Sequence, residues 1–233
     1  MLIVEDLHAY YGKSHVLQGV SLEIRPGEVV GLLGRNGVGK TTTLKAIMGL
    51  VSRRGKIGLN GKEISSLPAY QVPRLGIAYV PQGRHIFPDL TVLENLTISL
   101  VTETKVPPDR LEVIFGRFPV LRERLHQLGG TLSGGEQQML AIARAVTAEP
   151  SLVLMDEPSE GLSPVMRGVV RDQVRAIQAS GVGILLVEQN VKLALDVCRR
   201  VYFMEKGMVR HEVETTELLK DEGLVSRYLG VKV

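Results

Sequence analysis

Residues 34 to 42 read Gly-Arg-Asn-Gly-Val-Gly-Lys-Thr-Thr, a match to G-x-x-x-x-G-K-[ST] that follows the apolar run Val29, Val30, Gly31, Leu32, Leu33. A buried strand, a glycine-rich turn and a helix carrying Thr42, Leu44, Ile47 and Met48 must therefore succeed one another here, the context in which such a loop grips phosphate. Gly34, Gly37 and Gly39 let the backbone turn tightly and bring amide N–H groups up to an anion, with Asn36 in the same cradle, and the helix adds its positive end. Lys40 is placed to reach the β- and γ-phosphates, Thr41 to put its hydroxyl on Mg²⁺ and Thr42 to meet the α-phosphate. A strand-to-helix turn with an incidental lysine is the plain alternative, and the apolar runs on both sides argue against it.

A second apolar run, Ser151 to Met155 behind Pro150, is too short for a helix and reads as a buried parallel strand. Asp156 at its tip is suited to hold Mg²⁺, and Glu157 to orient or deprotonate an attacking water. Asp-Glu taken alone is more often a solvated turn, so the functional reading depends on the phosphate loop upstream. A third element, Leu132-Ser133-Gly134-Gly135-Glu136-Gln137-Gln138, contains the capping box Ser133-x-x-Glu136 ahead of the amphipathic run Met139, Leu140, Ile142, Ala143, Val146. Capping does not explain Gly134 and Gly135, which cost about 1 kcal/mol each in a helix relative to alanine. Two glycines there make sense where something approaches the backbone closely.

LSGGEQQ resembles the signature motif of the ATP-binding cassette (ABC) ATPases. The resemblance extends from about Leu2 to Gly230 and implies that Ser133, Gly134, Gly135 and Glu136 close over the γ-phosphate held by a partner subunit. It further implies ATP and Mg²⁺ as cofactors, with Tyr11, in the turn after the first strand, stacking on adenine and Tyr10 as the fallback. Gln82, after the strand Ile77 to Val80, matches the glutamine that touches Mg²⁺ and senses a membrane permease. Two positions depart from the family pattern. Ser163, in Ser159 to Pro164, stands where the family usually has Asp, and Gln189 stands where it usually has His. Gln189 can donate a hydrogen bond to phosphate but cannot carry a proton near neutrality, so of the catalytic residues Glu157, Lys40 and Gln189 it is Glu157 that should bear more of the catalysis.

The VEQN form at 187 to 190, with YVPQGRHIFPDLTVLENL and GGTLSGGEQQMLAIARA, is similar to the ATPases of branched-chain amino-acid importers. Urea importer ATPases are similar too. The fold implied is α/β: a phosphate-loop, RecA-like core with an antiparallel β subdomain and an inserted α-helical subdomain. Residues 1–82 and 149–233 would form the nucleotide-binding core and 83–148 the helical part, with helices opened by Thr91-x-x-Glu94, by Pro107-Pro108-Asp109 and by Ser133, and a short helix near the C-terminus around Leu218, Leu219, Val225, Tyr228 and Leu229. Implied partners are permease subunits, a second ABC ATPase subunit, identical or related, and indirectly a solute-binding protein.

Composition sets the remaining bounds. A net charge of +3 with basic residues in pairs, no Trp, four Phe and six Tyr gives little support to nucleic-acid binding. One cysteine suits a reducing compartment, and the five histidines show no metal-ligand spacing. With strand-sized apolar runs and no leader-like start, the expected place is the cytoplasmic face of a membrane, reached through a partner. A soluble single-cassette scaffold is the competing class. A monomeric phosphate-loop kinase or GTPase has no use for LSGGEQQ.

Overall fold

A computed structural model describes residues 1–100 and 108–218. Its centre is a sheet of six strands: β3 (Val29–Leu33), β6 (Ile77–Val80), β7 (Leu152–Asp156), β8 (Gly183–Val187), β9 (Arg200–Glu205) and β10 (Met208–Glu214). They lie in the order β10-β9-β3-β8-β7-β6, parallel except for β10. All five residues of β3, β7 and β8 are buried, which is why each reads as an apolar run, interrupted in β7 only by Asp156 at its end.

A second sheet is antiparallel, formed by β1 (Leu2–Tyr11), β2 (Ser14–Ile24), β4 (Ser52–Leu59) and β5 (Lys62–Glu63) in the order β2-β1-β4-β5. Leu2, Val4, Leu7 and Ala9 of β1 point inward while Ile3 and Glu5 face out, the alternation of a half-covered sheet. The first three of these strands run well past the apolar stretches that announce them, because polar residues occupy the outer face. Tyr11 ends β1 rather than sitting in the turn after it.

Two cores hold the layers together. Leu17, Leu44 and Ile47 meet Leu154 and Leu185 between the antiparallel sheet, helix α1 (Lys40–Ile47) and one face of the central sheet. On the other face, Leu140 and Ile142 meet Val153, Ile184 and Phe203 under the helices. Between β6 and β7 the chain forms α2 (Val92–Thr97), α3 (Pro108–Arg117), α4 (Pro119–Glu123) and α5 (Gly134–Thr147). Complete capping boxes open α2 at Thr91/Glu94 and α5 at Ser133/Glu136. Helix α6 (Pro164–Ala179) begins under Ser163, whose hydroxyl accepts from the Met166 amide at 3.3 Å, and α7 (Val191–Val197) under Asn190. A short α8 (Thr215–Leu218) follows β10; Leu219, Val225, Tyr228 and Leu229 lie outside the described residues.

The topology gathers four loops at one place. β3, β8, β7 and β6 are parallel neighbours, so the segments leaving their C-terminal ends emerge side by side, where ligands of open α/β sheets bind.

Candidate nucleotide site

Those four ends enclose a cleft of ≈ 320 Å³ lined by Val16, Asn36, Gly37, Gly39, Lys40, Thr41, Thr42, Gln82, Glu157, Glu160 and Gln189. Gly39, at φ 112°, caps α1 in the left-handed region, and a Cβ there would stand 2.8 Å from Leu17. Gly37, at φ 77°, faces open space. The loop thus turns under a hollow that no protein side chain fills.

Lys40 is 5 % exposed. Its Nζ donates to the carbonyls of Gly34 at 2.8 Å and Arg35 at 3.1 Å and lies 3.7 Å from Glu157 Oε1. Burial lowers its pKa, opposed by the nearby Glu157 and Asp156 carboxylates. Asp156 is fully buried beneath the cleft, accepting from Thr41 Oγ1 at 3.0 Å and from the Tyr79 hydroxyl at 3.1 Å. Burial raises its pKa, those two hydrogen bonds work against the rise, and Glu157 adds to it. The Tyr79 phenol is also pushed upward, first by burial and then by Asp156. Glu157, at φ 48°, accepts at Oε2 from Gln189 Nε2 at 2.6 Å and from Gln82 Nε2 at 3.4 Å. The same Gln82 nitrogen donates to Glu160 at 2.8 Å.

The donor chemistry fits a magnesium triphosphate. Thr41 hydroxyl, Asp156 carboxylate and the Gln82 amide oxygen are hard oxygen donors, and among the described residues no cluster of three or more His, Cys, Asp or Glu offers a competing cage. Magnesium is ordinarily held this way, by one or two carboxylates together with substrate phosphates.

Ser133, Gly134, Gly135 and Glu136 stand apart, at the N-terminus of α5, and none of them lines the cleft. Tyr11 does not line it either; it is 46 % exposed at the tip of the hairpin whose other strand contributes Val16. Tyr10 is engaged elsewhere, stacked on His15 with ring centroids 4.5 Å apart.

The ABC transporter family model matches residues 17–160, a span that takes in both the phosphate loop and the signature turn. The chain belongs to this family. It is therefore an ABC transporter ATPase subunit, a nucleotide-binding protein whose chemistry is ATP hydrolysis. The high-affinity branched-chain amino acid transport ATP-binding protein BraG of Pseudomonas aeruginosa is 39% identical over 99% of this chain and 100% of its own length. The probable branched-chain amino acid transport ATP-binding protein LivF of Archaeoglobus fulgidus is 38% identical over 99% of each. The lipopolysaccharide export system ATP-binding protein LptB of Haemophilus influenzae is 36% identical over 99% of this chain and 97% of its own. Among solved structures, an ATP-binding cassette of an ABC transporter in its ADP conformation superposes with a TM-score of 0.84 at 27% identity, covering 99% of both chains. The fold is accordingly the RecA-like core with antiparallel β and α-helical subdomains.

Several side chains around this cleft gave no signal in the sequence. Tyr79 meets Asp156 only because β6 and β7 are paired, and Glu160 reaches the cleft because the segment after Glu157 folds back. Glu188, 2 % exposed, accepts from the backbone amides of Ser159 at 3.0 Å, Gln189 at 3.2 Å and Asn190 at 3.2 Å, tying the loop after β7 to the loop after β8. Gly134 and Gly135 do admit close neighbours, and these come from the same chain. A Cβ on Gly134 would stand 2.8 Å from Arg84 Nη1, and one on Gly135 2.7 Å from Met166 Cε.

Proposed function

We propose that this chain powers an importer of branched-chain or other hydrophobic amino acids, acting at the cytoplasmic face of the membrane as one half of an ATPase pair. The observation that carries the paired arrangement is the separation of the signature turn from the cleft that holds Lys40. One chain supplies Lys40, Thr41, Gln82, Asp156, Glu157 and Gln189, and the other closes over the γ-phosphate with Ser133, Gly134, Gly135 and Glu136.

Lys40 exchanges its Gly34 and Arg35 carbonyls for phosphate oxygens, and the amides from Asn36 to Thr42 surround the phosphate chain. Tyr11, free at the hairpin tip, stacks on adenine. Thr41 and Asp156, already hydrogen-bonded to each other, would hold Mg²⁺ with Gln82, and the ion would supply positive charge against that of the phosphates. Glu157 takes the proton of the attacking water. Gln189 fixes the Glu157 carboxylate by its short hydrogen bond without competing for that proton.

A groove of ≈ 720 Å³ lined by Met48, Tyr79, Phe87, Ile98, Leu100 and Arg144 lies between the edge strand β6 of the central sheet and the helices, and it suits the permease. No helix among the described residues is long and apolar enough to cross a membrane, in keeping with a separate membrane subunit. The solute is supported by the likeness to BraG and LivF; the LptB likeness, at 36% identity, favours lipopolysaccharide export as the second reading.

Uptake of radiolabelled leucine by cells carrying Lys40→Ala decides between them. Uptake should fall to background while the variant still co-purifies with a membrane protein. Unchanged uptake with impaired lipopolysaccharide transport would assign the chain to export.

A further inference from the structure

Three successive residues after Gln82 occupy the left-handed region: Gly83 at φ 82°, Arg84 at 72° and His85 at 46°. For arginine and histidine this is a strained backbone, of the kind that persists only where surrounding contacts enforce it and that clusters at switch segments. The contacts come from α5. The Arg84 guanidinium lies against the backbone of Gly134, with its Nη1 3.4 Å from Gln137 Oε1. About two turns beyond Gln137 on the same helix, Arg144 donates to the His85 carbonyl at 2.6 Å and sits 5.1 Å from the centre of the Phe87 ring. Helix α5 therefore grips the 84–87 loop at two points, and the first is the signature turn itself.

At its other end the loop begins at Gln82, whose amide nitrogen is held by Glu160 and Glu157 inside the cleft. Any ligand that draws the Gln82 amide off those carboxylates must move Gly83, and Arg84 sits one residue further on.

We propose that Arg84 is a positioning residue that couples nucleotide occupancy of its own chain's cleft to the placement of the signature turn serving the neighbouring site. This rests on the paired arrangement proposed above. The glycine at position 134 is then explained: a side chain there would push away the flat guanidinium that reads the loop.

The test uses the full-length chain in a Glu157→Gln background, which should bind ATP without turning it over and accumulate a nucleotide-bound dimer visible by size exclusion. Adding Arg84→Ala should leave binding of a fluorescent ATP analogue to the monomer within about twofold, while the ATP concentration giving half-maximal dimer rises by about fivefold or more. Arg84→Lys, which keeps the charge but cannot lie flat on Gly134, should recover only part of the loss. Dimerisation of the Arg84→Ala double variant at the parent's ATP concentration overturns the inference alone. Equal loss of monomer binding overturns it too, by showing that Arg84 merely supports its own cleft. A Glu157→Gln parent that never dimerises removes the paired arrangement and this inference with it.

Discussion

Glu188 is an acid placed where water hardly reaches, and its surroundings make a prediction at the level of one proton. Burial raises its pKa above the ordinary 4.5, against the amides of Ser159 and Asn190 that favour the ionised form, and Glu157 adds to the rise. Between 4.5 and the raised folded value, the native protein keeps a proton that the unfolded chain has released. Its contribution to stability is therefore fully present below 4.5 and declines as pH rises through that window. Glu188→Gln removes the titration while keeping the size of the side chain. In thermal melts from about pH 4 to about pH 8, the wild type should lose ground to the variant as pH rises. A gap in Tm that stays constant across the series would mean that this carboxyl titrates alike in the folded and unfolded chains.

At the scale of strands and helices, what could be read in advance follows from how many faces of an element are covered. β3, β6 and β8 are recognisable from apolar runs alone, as are the caps of α2, α5 and α6, because local chemistry suffices there. β9 and β10 escape such a reading, since Arg200, Glu205, Arg210, His211 and Glu212 interrupt them. Arg200 is nonetheless 2 % exposed. It donates through Nε to Glu28 at 2.8 Å, through Nη2 to the Glu23 carbonyl at 2.7 Å and through Nη1 to Tyr202 and Glu212, joining β9 and β10 to β2 and to the entry of β3. No local pattern reports a partner 172 positions away. The same holds within the candidate site. Lys40, Thr41, Asp156 and Glu157 are legible from motifs, whereas Tyr79 acquires its role only from strand pairing, and Glu160 and Glu188 only from the folding of the loops after β7 and β8. Arg200→Met should strip Glu28 of its counter-charge while leaving it buried, a change that costs about 3 kcal/mol or more. Urea denaturation reads this as a lower midpoint at unchanged slope. A loss below about 1 kcal/mol would show that water compensates Glu28, as it does at exposed pairs.

At the scale of the whole molecule, the two half-sites proposed for one chain lie in separate places: the cleft at the strand ends and the N-terminus of α5, which does not line it. Two copies related by a twofold axis can complete both at once, because the patch each offers is the patch each needs. Complementation between two dead variants follows from that symmetry. Lys40→Ala removes the cation from a cleft, and Ser133→Arg obstructs the turn that a neighbour needs; each alone should abolish turnover. In a mixed dimer the Lys40→Ala chain still has Ser133, and the Ser133→Arg chain still has Lys40, so one composite site is whole and the other is doubly defective. Random pairing at equal amounts makes about half of the dimers mixed, each with one of two sites intact, so independent sites would give roughly a quarter of wild-type ATPase activity. If Arg84 links the sites as inferred, recovery should fall below that quarter yet stay above either parent. Mixed dimers, demonstrated by differential tagging, that hydrolyse no more ATP than the parents would mean that each chain completes its own site, and the separation of cleft and signature turn would then need another explanation.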